Sequence, residues 1–222
     1  MLALIGAVVA LAGAPSPAHF STRIDNSYWP MRPGTRWVYR DTDTRGNTQR
    51  DVVTVTHRTR RVASGVLVRV VHDRATEHGA LIEDTFDYYA QDDRGNIWYL
   101  GEATTEFANG KPVSHEGSWE AGVDGAQAGI VMLAHPHVGR RYREEHYPGH
   151  AEDGAKVLSR NEQAQVPAGH FRRLLLTKNF NPLEPRALEY KLYARRVGPV
   201  LELGISGDTD RSELVRFRRG NG

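Results

Sequence analysis

Between Trp37 and Phe217, apolar and polar residues alternate in short runs separated by turn-forming residues, and no stretch sustains a helical period. Alternation at period two sends successive side chains to opposite faces of a strand. The pattern predicts strands at 36–42, 50–58, 66–73, 80–90, 97–105, 112–116, 141–147, 155–165, 172–179, 186–193, 200–203 and 212–218. Asp92-Asp93-Arg94-Gly95-Asn96 marks the clearest hairpin, because Asp and Asn tolerate turn geometry and Gly supplies positive φ. Asn109-Gly110, Ser64-Gly65 and His78-Gly79 mark three more. Hairpins in succession predict an all-β fold, an antiparallel meander forming a strongly curved sheet or barrel, lipocalin-like in outline. The stretch 117–139 carries five glycines and little alternation. It is expected as a long glycine-rich loop over one end of the sheet, acting as a lid or as a plug.

Residues 1–14, MLALIGAVVALAGA, are uncharged and almost wholly apolar, and Ser16-Pro17-Ala18 sets small residues before His19. This is a signal-peptide layout, although no Lys or Arg precedes Arg23. The run is short of the roughly twenty residues that a helical membrane span needs. The expected organisation is a signal-peptide-like segment at 1–18 and a single domain at 19–222, secreted or periplasmic in the cell envelope, with no stable membrane span.

Composition narrows the chemistry. With 39% hydrophobic and 25% charged residues and a formal charge of +2, the 222-residue chain resembles an ordinary soluble domain. Its basic residues form no stripe along the sequence, so nucleic acid is not an expected partner. The absence of cysteine excludes a disulfide framework, a thiolate metal site, a cysteine nucleophile and a lipidated cysteine.

Two motifs bracket residues 28 to 203. The opening Tyr28-Trp29-Pro30-Met31-Arg32-Pro33-Gly34-Thr35-Arg36-Trp37-Val38-Tyr39 resembles the start of a group of exported bacterial β-rich proteins. Val166-Pro167-Ala168-Gly169-His170-Phe171, followed by Tyr193-Ala194-Arg195-Arg196-Val197-Gly198-Pro199-Val200, is similar to that group's ending, and 117–126 to the hallmark of a subgroup. The resemblance implies an architecture and no shared reaction.

Candidate site residues come from charges set into apolar strand faces, since a buried lone charge is costly unless paired. Asp84 interrupts Ile82-Asp84-Phe86-Tyr88, Arg69 interrupts Leu67-Arg69-Val71, and Lys178 interrupts Leu174-Leu176-Lys178-Phe180. If these faces line one interior, Asp84, Arg69 and Lys178 meet there, with Tyr88, Trp98, Trp119 and Tyr190 as walls and Glu120 as a further carboxylate. The same residues would serve equally as a structural ion pair and aromatic core. His135-Pro136-His137, with His146, His150 and Glu152, is the strongest metal-like spacing, but short His spacings arise by chance among ten histidines. Neither a metal nor another cofactor is expected, since no glycine-rich phosphate loop opens a helix, and no G-x-S-x-G marks a serine nucleophile. The leading functional expectation is an exported binding protein for a small, largely apolar or amphipathic molecule. The alternatives are a cofactor-independent cyclase or isomerase of secondary metabolism acting on a polyketide-like chain, and an assembly or structural factor of the envelope.

Overall fold

The computed structural model describes residues 16–207 and 210–221. A single 3₁₀ turn, Pro17–His19, precedes sixteen strands. These are β1 (Phe20–Ser21), β2 (Arg36–Thr42), β3 (Thr48–Arg61), β4 (Leu67–Glu77), β5 (Ala80–Asp92), β6 (Ile97–Ala108), β7 (Lys111–Ser114) and β8 (Trp119–Glu120). There follow β9 (Gln127–Met132), β10 (Arg141–Arg143), β11 (Glu145–His146), β12 (Gly154–Val166), β13 (Gly169–Phe180), β14 (Leu188–Ala194), β15 (Gly198–Ser206) and β16 (Arg211–Arg218). All twelve strands expected from alternation are present, several extended by a few residues, and the segment expected at 141–147 is split in two.

Two meanders, β2 to β6 and β12 to β16, are joined edge to edge where β16 pairs with β2. At the far edges β10 pairs with β12, while β11 pairs with β9, which itself lies beside β6. Strands β10 and β11 are separated only by Glu144, so one residue links the two edges and the sheet curls into a nearly closed barrel. Gly129 sits at this seam; a Cβ there would lie 2.4 Å from the Glu144 carbonyl carbon, so only glycine permits the approach.

One end of the barrel is closed by the segment 22–35, which buries Ile24, Tyr28 and Met31. Asn26, 4% exposed, anchors this plug. Its side-chain amide donates to the Gly95 and Leu133 carbonyls at 2.8 and 3.2 Å, and its side-chain oxygen accepts from the Tyr28 and Trp29 amides at 2.9 and 3.3 Å. The opening and closing motifs meet here. Trp37 Nε1 donates to the Val197 carbonyl at 2.7 Å, Tyr39 Oη donates to that of Pro199 at 3.1 Å, and the Arg196 amide donates to that of Ser27. Gly198 (φ 109°) leaves room for the Trp29 ring, which would lie 2.6 Å from a Cβ.

Apolar side chains form two cores. The inner one runs from the plug through Trp37, Val55, Val71, Leu174 and Leu214. The second lies on the outer face of β4 to β6, where Val68, Val70, Tyr88, Trp98 and Leu100 are covered by Trp119, Ala121 and Ala126. This outer core corrects the expectation for 117–139. The stretch contains β8 and β9 rather than one long loop: 119–126 lies on the outside of the wall, because the apolar outer faces of β4 to β6 need a cover, and β9 is part of the wall itself, beside β6. The expected signal-peptide-like segment falls outside the described residues up to position 15; Pro17 packs beside Gly65. Among the described residues no helix is long and apolar enough to cross a membrane.

Candidate functional site

The barrel holds a cavity of about 410 Å³. Strands β2 to β5 each carry an apolar or aromatic residue near the plug and an acidic one farther along the same face. Strand β2 reads Trp37-x-Tyr39-x-Asp41, β3 reads Asp51-x-Val53, β4 reads Val71-x-Asp73, and β5 reads Glu83-x-x-x-Asp87-x-Tyr89. Trp29 and Met31 of the plug complete the floor. Trp29 lies 5.9 Å from Tyr89 and 6.0 Å from Tyr193 between ring centroids, and Tyr89 stacks on Tyr99 at 5.0 Å. The result is an aromatic base beneath a ring of carboxyl groups. Among the described residues, eight carboxyl side chains line the cavity against one cation, Lys191.

Lys191 is engaged by two of those carboxylates, Glu189 at 3.2 Å and Glu202 at 3.3 Å. Burial works to lower its pKa, but Glu202 and Glu189 outweigh burial and hold it well above the ordinary lysine value. Its charge is thereby consumed within the wall. Among the described residues the remaining carboxyls of the cavity pair with no cation. Burial pushes Asp51 up to about 10, reinforced by a hydrogen bond with Asp73 and by the charges of Asp73 and Asp41. Asp51 Oδ1 is buried and has no hydrogen-bond partner among the described residues. Asp87 is raised well above its usual range by burial and then by Asp73, although Tyr99 Oη donates to it at 2.8 Å. Asp41 and Glu83 are raised as well, burial again being the main cause. The cavity therefore concentrates acidic groups in a place that disfavours their charge unless a cation arrives.

The eight residues singled out in the sequence do not gather there. Asp84 lies on the outer face, 2.7 Å from His72 Nε2 and 3.2 Å from Arg74 Nε. Tyr88 accepts a hydrogen bond from Arg60 at 2.8 Å beneath its guanidinium, and Arg60 also pairs with Glu120 at 2.6 Å. Glu120 additionally accepts from the Ala63 amide, so these three residues fasten the outer cover to the wall. Trp98, donating to Asp92 at 2.8 Å, and Trp119 belong to the same outer core. Lys178 and Tyr190 face each other across β13 and β14, on the side opposite Asn179 and Lys191. Arg69 shares the inner parity of Val71 and Asp73 but sits lower, bonding to the carbonyls of Thr22, Thr56, His57 and Arg58 beside a bulge in β3.

The expected convergence of Asp84 with Arg69 and Lys178 is thus corrected. Placing the more apolar face inward is right for a filled barrel, but here the lumen is polar and the outside of β4 to β6 is covered. The legible signal was the other parity: period-two series that pass from aromatic to acidic, and Glu189-x-Lys191-x-Tyr193 on β14. For the histidines, no three His, Asp or Glu side chains converge as a metal-ligand set among the described residues. His135 and His137 line a surface groove, and His150 stacks on Tyr147.

No protein-family model, curated protein or solved structure matches the chain. The structure is an all-β, barrel-like fold compatible with holding a small molecule.

Proposed function

We propose that this protein is an envelope binding protein that holds a small amphipathic cation, a protonated amine on an apolar body, in the barrel cavity. The observation that carries this reading is the pairing of four aromatic rings, Trp29, Trp37, Tyr39 and Tyr89, with eight carboxyl groups around one space. A ring body gains from the apolar base, and an ammonium gains from the ring faces and from carboxylates that otherwise stay protonated. Location in the envelope is supported by the apolar run at 1–14. The cyclase or isomerase reading draws less support, because it calls for an available cation converging with a carboxylate, and Lys191 is already held by Glu189 and Glu202.

The test is calorimetric titration with tryptamine and with indole-3-propionate, which share a ring and differ in the sign of charge. The amine is expected to bind and the acid to fail. Asp51→Asn combined with Asp73→Asn should weaken the amine by about tenfold or more, by the scale of a charge-assisted contact. Because a protonated amine keeps its charge between pH 6 and 8 while Asp51 must release a proton, affinity should rise with pH, by up to about tenfold per unit. Equal binding of the acid, or an affinity that falls with rising pH, would remove the cation from the reading. Native mass spectrometry of protein from its own host supplies the broader check: no bound mass and no amine binding would sink the carrier function itself.

A further inference from the structure

We infer that the plugged end of the barrel seats the protein on an anionic lipid bilayer. Two surface grooves, of about 660 and 380 Å³, flank the plug and share Asp25, Asn26 and Ser27 in their walls. Arg94, Arg160 and Arg195 line the first, and Arg32, Arg196 and Arg219 line the second. All six are exposed, and among the described residues none forms an ion pair. The carboxylates nearby are already engaged: Asp25 with Arg23 at 3.3 Å and Asp93 with His19 at 2.6 Å.

These arginines come from the plug, the β5–β6 hairpin, β12, the β14–β15 hairpin and the chain after β16. Far apart in sequence, they share an end only because the meanders bring alternate connections to the same side. Unpaired like charges on one face repel each other, and that repulsion is relieved where the face meets a surface of opposite sign. The cluster extends over both sides of the plug, which suits an extended array of lipid phosphates better than a single soluble anion. The path of the chain agrees. Ser16, the first described residue, lies at this end: Pro17 packs beside Gly65 of the β3–β4 hairpin, and Phe20–Ser21 pairs with Gln91 and Asp92 at the end of β5. The residues before it in sequence, 1–14, are uncharged and almost wholly apolar. The acidic end of the cavity, at Asp41 and Asp210, lies on the other side of the barrel and would face solvent. This inference stands apart from the ligand proposed above and survives its failure.

The test is flotation of the full chain with vesicles of phosphatidylglycerol and phosphatidylcholine in equal parts, and of phosphatidylcholine alone, in about 0.1 M NaCl. Binding is expected to the first and not the second, and to fall as salt is raised to about 0.5 M. Arg32→Glu, Arg94→Glu and Arg160→Glu together should reduce it by about tenfold or more. Should the triple variant fail to fold, Arg160→Glu alone and the salt series on the native chain decide. Equal binding to both vesicles, indifference to salt, or an unchanged folded variant would overturn the inference. So would saturation by inorganic phosphate without vesicle binding, which would assign the face to a soluble anion.

Discussion

A carboxyl oxygen of Asp51 is buried without a partner among the described residues, and its pKa is pushed up to about 10 by burial and by Asp73. The unfolded chain releases that proton near the ordinary aspartate value of about 3.9. A raised folded pKa contributes stability that is complete below about pH 4 and is lost as pH climbs toward 10. Asp51→Asn removes this dependence while keeping the shape. It should raise Tm at pH 8, by about 2–4 °C for each kcal/mol recovered in a domain of this size, and change it little at pH 4. Thermal unfolding followed by circular dichroism at the two pH values checks this; a variant destabilised at pH 8 would mean that Asp51 holds the native wall as an anion. The same residue shows what a single sequence hides. Asp51 reads as an ordinary polar position in Arg50-Asp51-Val52, and only the register of the β3–β4 pairing, which sets Asp51 opposite Ala75, brings it beside Asp73 on the same face.

Strands and hairpins were largely legible because their signals are local: alternation, Asn109-Gly110, and the aspartates before Gly95. What stayed hidden were elements whose existence depends on a distant surface. Strand β8 is two residues long and forms because Gly101 and Glu102 of β6 pair with it. A Cβ on Gly101 would meet the Trp119 carbonyl, so this glycine admits the outer cover. Facing direction was hidden for the same reason: alternation gives two sets of side chains but does not say which one looks inward when both faces of β5 are covered. At the seam the dependence is sharper, because Gly129 reads as one more loop glycine. Gly129→Ala would force β9 away from Glu144, separating β11 from its partner edge, and should cost about 1–3 kcal/mol, the range for overpacking. Urea denaturation measures it; a neutral result would mean that the seam is loose enough to absorb a methyl group.

At the scale of the molecule, the plug divides two chemistries: an aromatic and acidic interior on one side, and an unpaired basic face on the other. Neither was visible as a net charge of +2, which sums over both. The wall around the cavity is also uneven. Strands β4 to β6 are sandwiched between the inner core and the outer one, whereas β16 leaves Val215 exposed on its outer side. Amide protons in a doubly covered slab exchange only through large openings, while those of a singly covered strand also exchange through small local ones. Deuterium uptake should therefore be slowest at 68–71, 88–90 and 97–100 and faster across 211–218. Uniform protection around the barrel would deny the outer core its part in this. The uneven wall leaves one half of the barrel as a stiff backing against which the other half can breathe, a way for a molecule to reach a cavity whose floor is sealed.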